Sequence, residues 1–335
     1  MLRVTRPQIL AFRRRVGALD ERLPPGTASL RRAAWAGLQD SMPRAALLSL
    51  HARVVGIQPD ALDDPSLAQL WGPRYSTYVV AKRDFAFFSL GRLPDDAKGR
   101  ERAERTAALL HAQLGGARVA DREVQRALAT GNSIKYAATT GTIAIRWEGA
   151  RAPIMWNVPA PKITAAAACR ELARRHLRVF GPTTASRFAR WAGISRSAAS
   201  AAYAALGPTL LPVRTPLGEE WLLAEDEQEL RAAAAPPAPT RLLPSGDAYF
   251  LLDGAERELL VPQADLRSLL WTPRVWPGAV LVEGEIRGTW RRAQHKLQVE
   301  MWRRLPRSAR DAVEAEACSL PLPRLERDVE VIWGR

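Results

Sequence analysis

Residues 181–223 run GPTTASRFARWAGISRSAASAAYAALGPTLLPVRTPLGEEWLL. Thr184 is placed to cap a short helix ending near Ala192, Gly193 permits a turn, Ser195 is placed to cap a second helix, and Gly207-Pro208 ends it. A hairpin follows. Leu211 and Val213 alternate along one arm, Pro216 to Gly218 form the tip, and Trp221 and Leu223 return on the other arm. Helix, turn, helix and hairpin in this order predict a winged-helix unit, whose second helix normally enters the major groove and reads base edges. That helix offers Arg196, Ser197, Ser200 and Tyr203 among alanines. Direct readout rests mostly on bidentate Arg, Asn or Gln, so a face this sparse predicts weak sequence specificity. An αα-hairpin used only for packing fits the same residues and stays open.

The same order of elements recurs upstream. VADREVQRALATGNSIKYAATTGTIAIRWEGARAPIMWNVPA (119–160) places Asp121 as a helix cap, a second helical piece around 133–138, and two alternating strands. Ile143, Ile145 and Trp147 share one face of the first strand; Ile154, Trp156 and Val158 share one face of the second, with residues 148–151 as the wing tip. Residues 7–83 give a third copy, with helices at 7–17, 27–38 and 43–55 before the β-like WGPRYSTYVVAKRDF. Identity among the copies is negligible, so the repeat rests on element order. Prolines in RAAAAPPAPT (231–240) cannot continue a helix and mark a linker. Beyond it, AVLVEGEIRGTWRRAQHKLQVEMW alternates through strands turning near Glu283-Gly284 and Ala293-Gln294, followed by a helix over 308–318 and a last strand, DVEVIW. The expected fold class is α+β: tandem winged-helix units at 1–95, 96–160 and 161–230, a linker at 231–240, and a β-rich region at 241–335.

Composition narrows the function. With 335 residues, 47% of them apolar, the chain can bury substantial cores. No run of about eighteen uncharged apolar residues occurs and the N-terminus is interrupted by Arg, so the sequence reads as a soluble, cytoplasmic protein with no membrane partner. Cys169 and Cys318 lie far apart in Ala-rich helical contexts, with no CxxC, and read as buried inert thiols rather than a disulfide or zinc site. Net charge is +14, which favours a polyanionic partner. Charge is blocked along the chain: +7 over 164–214, −7 over 215–273 and +6 over 274–310. Alternating blocks suggest one basic surface assembled from separated segments. Arg187 and Arg214 in the first block, with Arg196, Ser197 and Ser200, and Arg291, Arg292 and Lys296 beside His295 at the C-terminal hairpin turn, form the candidate DNA-contacting set. A solvated hairpin tip is the alternative for the latter group.

WAGLQDSMPRAALLSLHARVVG, residues 35–56, reads as two apolar helical stretches joined at a proline, with Gln39, Asp40 and Ser41 at the seam. No P-loop, dinucleotide-binding glycine fingerprint or HExxH occurs, and His51, His111, His176 and His295 are scattered without motif-spaced partners. No cofactor or metal is called for.

GLQDSMPRAALLSLHARV, WGPRYSTYVV, VFGPTTASRFARWAGIS, RLLPSGDAYFLL and VLVEGEIRGTW, in this order over nearly the whole chain, resemble the bacterial winged-helix family that includes the azinomycin-resistance and interstrand-crosslink-unhooking DNA glycosylases. The resemblance implies a C-shaped protein of tandem winged helices, a concave basic face for duplex DNA, a β-rich C-terminal part and association with the bacterial nucleoid. It also implies that a Gln-x-Gln or Gln-x-acid motif after Gly-Leu orients the water that attacks the sugar carbon of a damaged nucleotide. Gln39 falls on the first position of that motif; its third position is Ser41, and Asp40 stands where the family has an apolar residue. In a helix, successive side chains point about 100° apart, so Asp40 cannot take its neighbour's place. Two readings follow. Either Gln39 holds a water while Asp40 supplies charge from a shifted backbone, or Asp40 or Ser41 caps the helix beginning near Met42-Pro43. Arg74, Tyr75 and Tyr78 match a family segment flanking the site, where a Tyr stacks on a base; a packed strand with Arg74 at its solvent end is the alternative. Two function classes remain: a monomeric enzyme or recognition protein for damaged duplex DNA, and a non-catalytic winged-helix regulator.

Overall fold

The computed structural model describes residues 1–334 apart from 43, 130, 148–151, 233–237 and 323–327. The expected wing tip at 148–151, Pro43 and half of the expected linker fall outside the described residues. The chain opens with β1 (Leu2–Arg3), α1 (Arg6–Val16), α2 (Thr27–Ala33), β2 (Leu38–Gln39) and α3 (Ala45–Arg53). A hairpin of β3 (Leu67–Trp71) and β4 (Thr77–Ala81) leads to α4 (Phe85–Phe88), α5 (Ala97–Leu114), β5 (Val119–Ala120), α6 (Asp121–Leu128), β6 (Ile143–Arg146) and β7 (Ile154–Asn157). Next come α7 (Ala165–Phe180), α8 (Ala185–Ala192), α9 (Arg196–Leu206), and the hairpin β8 (Leu210–Thr215) and β9 (Gly218–Leu223). The last part holds α10 (Glu227–Arg231), β10 (Arg241–Leu243), α11 (Glu256–Leu260), α12 (Ala264–Leu270), β11 (Gly278–Val282), β12 (Glu285–Ala293), β13 (Lys296–Met301), α13 (Arg307–Cys318) and β14 (Glu330–Trp333). The fold is α+β, and the described residues form sheets of three, six and five strands.

The elements within 181–223 form for the reasons their residues suggest. The Thr184 and Ser195 side chains accept the Arg187 and Ala198 N–H groups, each cap being worth about 1 kcal/mol, and Phe188, Ala189 and Ala192 turn inward. On the hairpin Val213 and Leu223 are buried as expected, but Trp221 is 39% exposed and Leu222 is buried in its stead, opposite Leu211. The upstream unit shows the same slip, with Met155 buried and Ile154 exposed, and its helix is capped at Ala120, with Asp121 the first helical residue. Its second helical piece is a 3-10 segment, Gly131–Thr140.

Long-range pairing ties the segments together. β1 adds in parallel to β8, and Ile9 and Phe12 of α1 pack with Val213, Leu222, Leu230 and Leu259, so the first helix sits against residues 210–260. The six-stranded sheet runs β2-β4-β3-β6-β7-β5, and Gln69 of β3 pairs with Ile145 of β6, joining the first two segments through one sheet. The C-terminal sheet runs β10-β11-β12-β13-β14 in sequence order, covered by α13 through Val313 and Ala317. Its turns fall at Glu283-Gly284 and Gln294-His295.

Half of the first basic block is paired with the acidic block that follows it. Of the eight Arg in 164–214, Arg174 pairs with Glu225, Arg178 with Asp226 and Glu229, Arg187 with Glu220, and Arg190 with Asp253, all acids of the following block. Arg175 joins Asp84 at 2.8 Å. The change of sign between 164–214 and 215–273 therefore encodes packing between these segments, whereas no ion pair among the described residues joins 274–310 to the acidic block. Among the described residues no helix is long and apolar enough to cross a membrane. Cys169 is half-buried, its thiol pushed up to about 11 by burial; Cys318 is exposed, contrary to the expectation for it.

Candidate active site

The seam at Gln39 is extended, not helical. Leu38 pairs with Val79 and Gln39 with Tyr78, and the Asp40 N–H continues the ladder to the Thr77 carbonyl at 2.8 Å. Side chains of successive strand residues point to opposite faces, so Asp40 faces away from Gln39. It is 2% exposed; one carboxylate oxygen accepts the Ala46 N–H at 3.0 Å and the other accepts Gln69 Nε2 at 3.3 Å. Gln69 Oε1 in turn accepts the Trp147 N–H at 2.6 Å. Burial pushes the Asp40 carboxyl up to about 6 against the pull of the Ala46 N–H and of Arg44 and Arg146. Arg44, at the N-cap position of α3, offers no side-chain acceptor, and Asp40 supplies it from four residues upstream. The capping reading of Asp40 thus describes its contacts. Ser41 is exposed.

Gln39 is half-buried between Tyr78 and the loop at Gly246. Its Oε1 lies 3.5 Å from the Tyr78 hydroxyl. Gly246 adopts φ +78°, which favours glycine, and a Cβ there would press on Gln39 Nε2 at 3.2 Å. The next residue, Asp247, is fully buried and takes both arms of Arg53 at 2.7 Å, with the Ser49 hydroxyl at 2.6 Å. This pairing clamps α3 to residues 244–247 and fixes the wall opposite Gln39. On the other side, Gly37 (φ +76°) leaves room for the rings of Tyr78 and Phe88, which a Cβ would meet at 2.9 and 2.7 Å.

The candidate DNA-contacting residues divide. Tyr78 is 1% exposed, its hydroxyl pushed above its usual range by burial, so it is a core residue and presents no face to a base. Arg187 is committed to Glu220 and Glu256 inside the fold and is likewise no surface contact. Tyr75 is half-buried, edge-on to Tyr136 at 5.3 Å, with Arg92 over its ring. Arg74, Arg196, Ser197, Ser200, Arg214, Arg291, Arg292 and Lys296 are exposed. Ser195 and Ser197 both donate to Asp95 at 2.7 Å, which sets a carboxylate at the α9 N-terminus, and Arg214 lies 3.4 Å from Glu219. Arg291 donates to the Val275 carbonyl and Arg292 to the Gln294 carbonyl. These two arginines border a cavity of about 340 Å³ that Met42 and Ser245 also line, which brings the C-terminal hairpin beside the Gln39 seam.

The histidines stay apart. His176 is stacked on Phe180 at 4.9 Å and burial holds it down to about 3; His51 is held down to about 4. Among the described residues no cluster of three His, Cys, Asp or Glu is placed to hold a metal ion. Sequence reasoning missed Gln69, Arg53 and Asp247. The Pro-Ser-Gly-Asp turn at 244–247 was a signal for the last.

A sequence model described as DNA glycosylase AlkZ-like matches residues 32–321. The chain belongs to the AlkZ-like DNA glycosylase family. Among solved structures, it is similar to the DNA glycosylase AlkZ of Streptomyces sahachiroi, with a TM-score of 0.78 over 99% of this chain and 100% of that one at 19% identity. At that identity the likeness speaks for a shared AlkZ fold. No curated protein matches the sequence.

Proposed function

We propose that this AlkZ-like chain binds duplex DNA as a monomer with little sequence preference and excises cationic alkylated purines as a monofunctional glycosylase. The observation that carries the reading is Gln39 itself: a half-buried amide held between Tyr78 and Gly246, followed by the exposed hydroxyl of Ser41, with the neighbouring Asp40 carboxylate turned into the core. In this reading the Gln39 and Ser41 oxygens hold a water against the sugar C1′. The bond from C1′ to the base nitrogen breaks, the water oxygen bonds to C1′ and releases its proton to bulk solvent, and the base leaves with the electron pair. A purine alkylated at N7 is already cationic and leaves neutral, so it needs less stabilisation than a normal base, and neutral oxygens suffice where a carboxylate is absent. The units at 1–95, 96–160 and 161–230 are read as winged helices, with Arg74, Arg196, Ser200, Arg214, Arg291, Arg292 and Lys296 toward phosphates.

A second reading, a non-catalytic recognition protein, is favoured by Asp40 acting as a helix cap. Incubating purified protein with N7-methylguanine duplex and measuring released base separates them: release within minutes supports the glycosylase, and tight binding without release supports the recognition protein.

A further inference from the structure

A cavity of about 410 Å³ opens between the end of α1, α2, the end of α7 and the segment 35–38 that leads into β2. It lies within the size range of small-molecule sites. Leu23, Leu38 and Val179 give it apolar walls. Trp35 adds an aromatic wall that is held in place: Arg174 and Arg175 lie 5.0 and 4.8 Å from its ring centre, and Arg175 donates to its carbonyl at 2.7 Å. Four arginines line the cavity and, among the described residues, no acid does. Two of the four are neutralised from outside it, Arg53 by Asp247 and Arg178 by Asp226 and Glu229. The other two keep their charge. Arg32 is exposed and makes no ion pair among the described residues, and Arg83, its side chain 66% exposed, reaches Asp84 only at 3.9 Å.

We propose that this cavity binds a small organic anion, an aromatic or alicyclic body carrying one carboxylate, with the carboxylate at Arg32 and Arg83 and the body against Trp35, Leu38 and Val179. The chemistry follows from the lining: apolar walls take a ring body out of water, and guanidinium forks recognise a planar carboxylate. With no acid in the lining, a cationic ligand finds no partner there, and a neutral one leaves two cations unanswered. Gln39 is not among the lining residues, and the proposal does not depend on the glycosylase reading. It shares the 35–38 backbone with the strand that carries Gln39, and Arg53 lines it while clamping Asp247, next to Gly246.

The test is calorimetric titration of the full chain with biphenyl-4-carboxylate and, separately, with its primary amide. For a ligand of this size a 1:1 Kd of about 10–100 µM is expected for the carboxylate, and at least tenfold weaker binding for the amide. Arg32→Gln/Arg83→Gln should weaken the carboxylate tenfold or more and leave duplex DNA affinity unchanged. Ala28→Trp, at an exposed lining position of α2, should abolish binding by filling the cavity, with a thermal melt confirming that each variant is folded. Absence of a 1:1 isotherm at millimolar carboxylate, equal binding of the amide, or unchanged affinity in the variants would each overturn the proposal. So would a loss of duplex affinity in the double Gln variant, which would make the two arginines phosphate contacts.

Discussion

Asp40 and Ala46 are joined by a hydrogen bond of 3.0 Å, carboxylate to backbone N–H, that turns the acid of the Gln-Asp-Ser seam away from the Gln39 amide and onto the first turn of α3. The neighbours have different surroundings: Asp40 holds a helix, and Gln39, on the opposite face between Tyr78 and Gly246, is the residue proposed to serve the chemistry. Stability should report the first role and chemistry the second.

The Asp40 carboxyl rises from an ordinary 3.8 to about 6 on folding because burial disfavours its charge. Between these values the folded chain holds a proton that the unfolded chain has lost. This contribution to stability is therefore complete below about pH 4 and disappears as pH rises through about 6, by roughly 3 kcal/mol. Urea unfolding of wild type and Asp40→Asn from pH 4 to 7 checks it. The stability difference should move in favour of the Asn variant as pH rises; a flat difference, or one moving the other way, refutes the burial argument.

Asp247 and Arg53 form a buried pair with both arms at 2.7 Å. Asp247→Ala leaves a buried guanidinium uncompensated and should cost about 3–5 kcal/mol, whereas Arg53→Met/Asp247→Leu should recover much of the loss. Denaturant midpoints measure both. A cost below about 1 kcal/mol for the single variant would mean that the clamp does not hold the loop at Gly246.

Arg291 and Arg292 are exposed on the C-terminal hairpin, while Arg187 is enclosed by Glu220 and Glu256. Arg291→Glu/Arg292→Glu should weaken binding to unrelated duplexes by a similar factor and make the salt dependence shallower by about two phosphate contacts. Arg187→Gln should lower the melting temperature and leave duplex affinity of the folded protein alone. Fluorescence anisotropy at several salt concentrations reads all three substitutions; a sequence-dependent effect at the hairpin, or a direct affinity loss at Arg187, contradicts the placement.

What was legible in the sequence was local. Thr184, Gly193, Ser195 and Gly207-Pro208 each signal a helix boundary within a few residues, and every one of those boundaries lies where the signal puts it. The hairpin turns were equally local, at Glu283-Gly284 as expected and at Gln294-His295, one residue beyond the expected Ala293-Gln294. Pairings between distant segments leave no such mark: nothing near Leu2 announces Val213, and nothing near Gln69 announces Ile145. The seam misled for a related reason. A two-residue strand between apolar helices has too few positions to show a period of two, so Asp40 read as a neighbour of Gln39 on a helix when it lies on the opposite face. Charge blocks were ambiguous because a run of Arg beside a run of Glu and Asp fits a basic surface and an internal ion-pair network alike; Arg178 with Asp226 and Arg187 with Glu220 place this chain nearer the second.

The central claim, that Gln39 rather than Asp40 serves the chemistry, is tested most directly by the single-turnover rate of base release from an N7-methylguanine duplex for wild type, Gln39→Ala and Asp40→Asn, each shown to be folded and to bind the duplex. Wild type is expected to release the base, Gln39→Ala to lose at least about a hundredfold, the scale of removing one positioned polar group from a transition state, and Asp40→Asn to stay within about threefold of wild type. No release by wild type, an unimpaired Gln39→Ala, or an inactive but folded Asp40→Asn would contradict it.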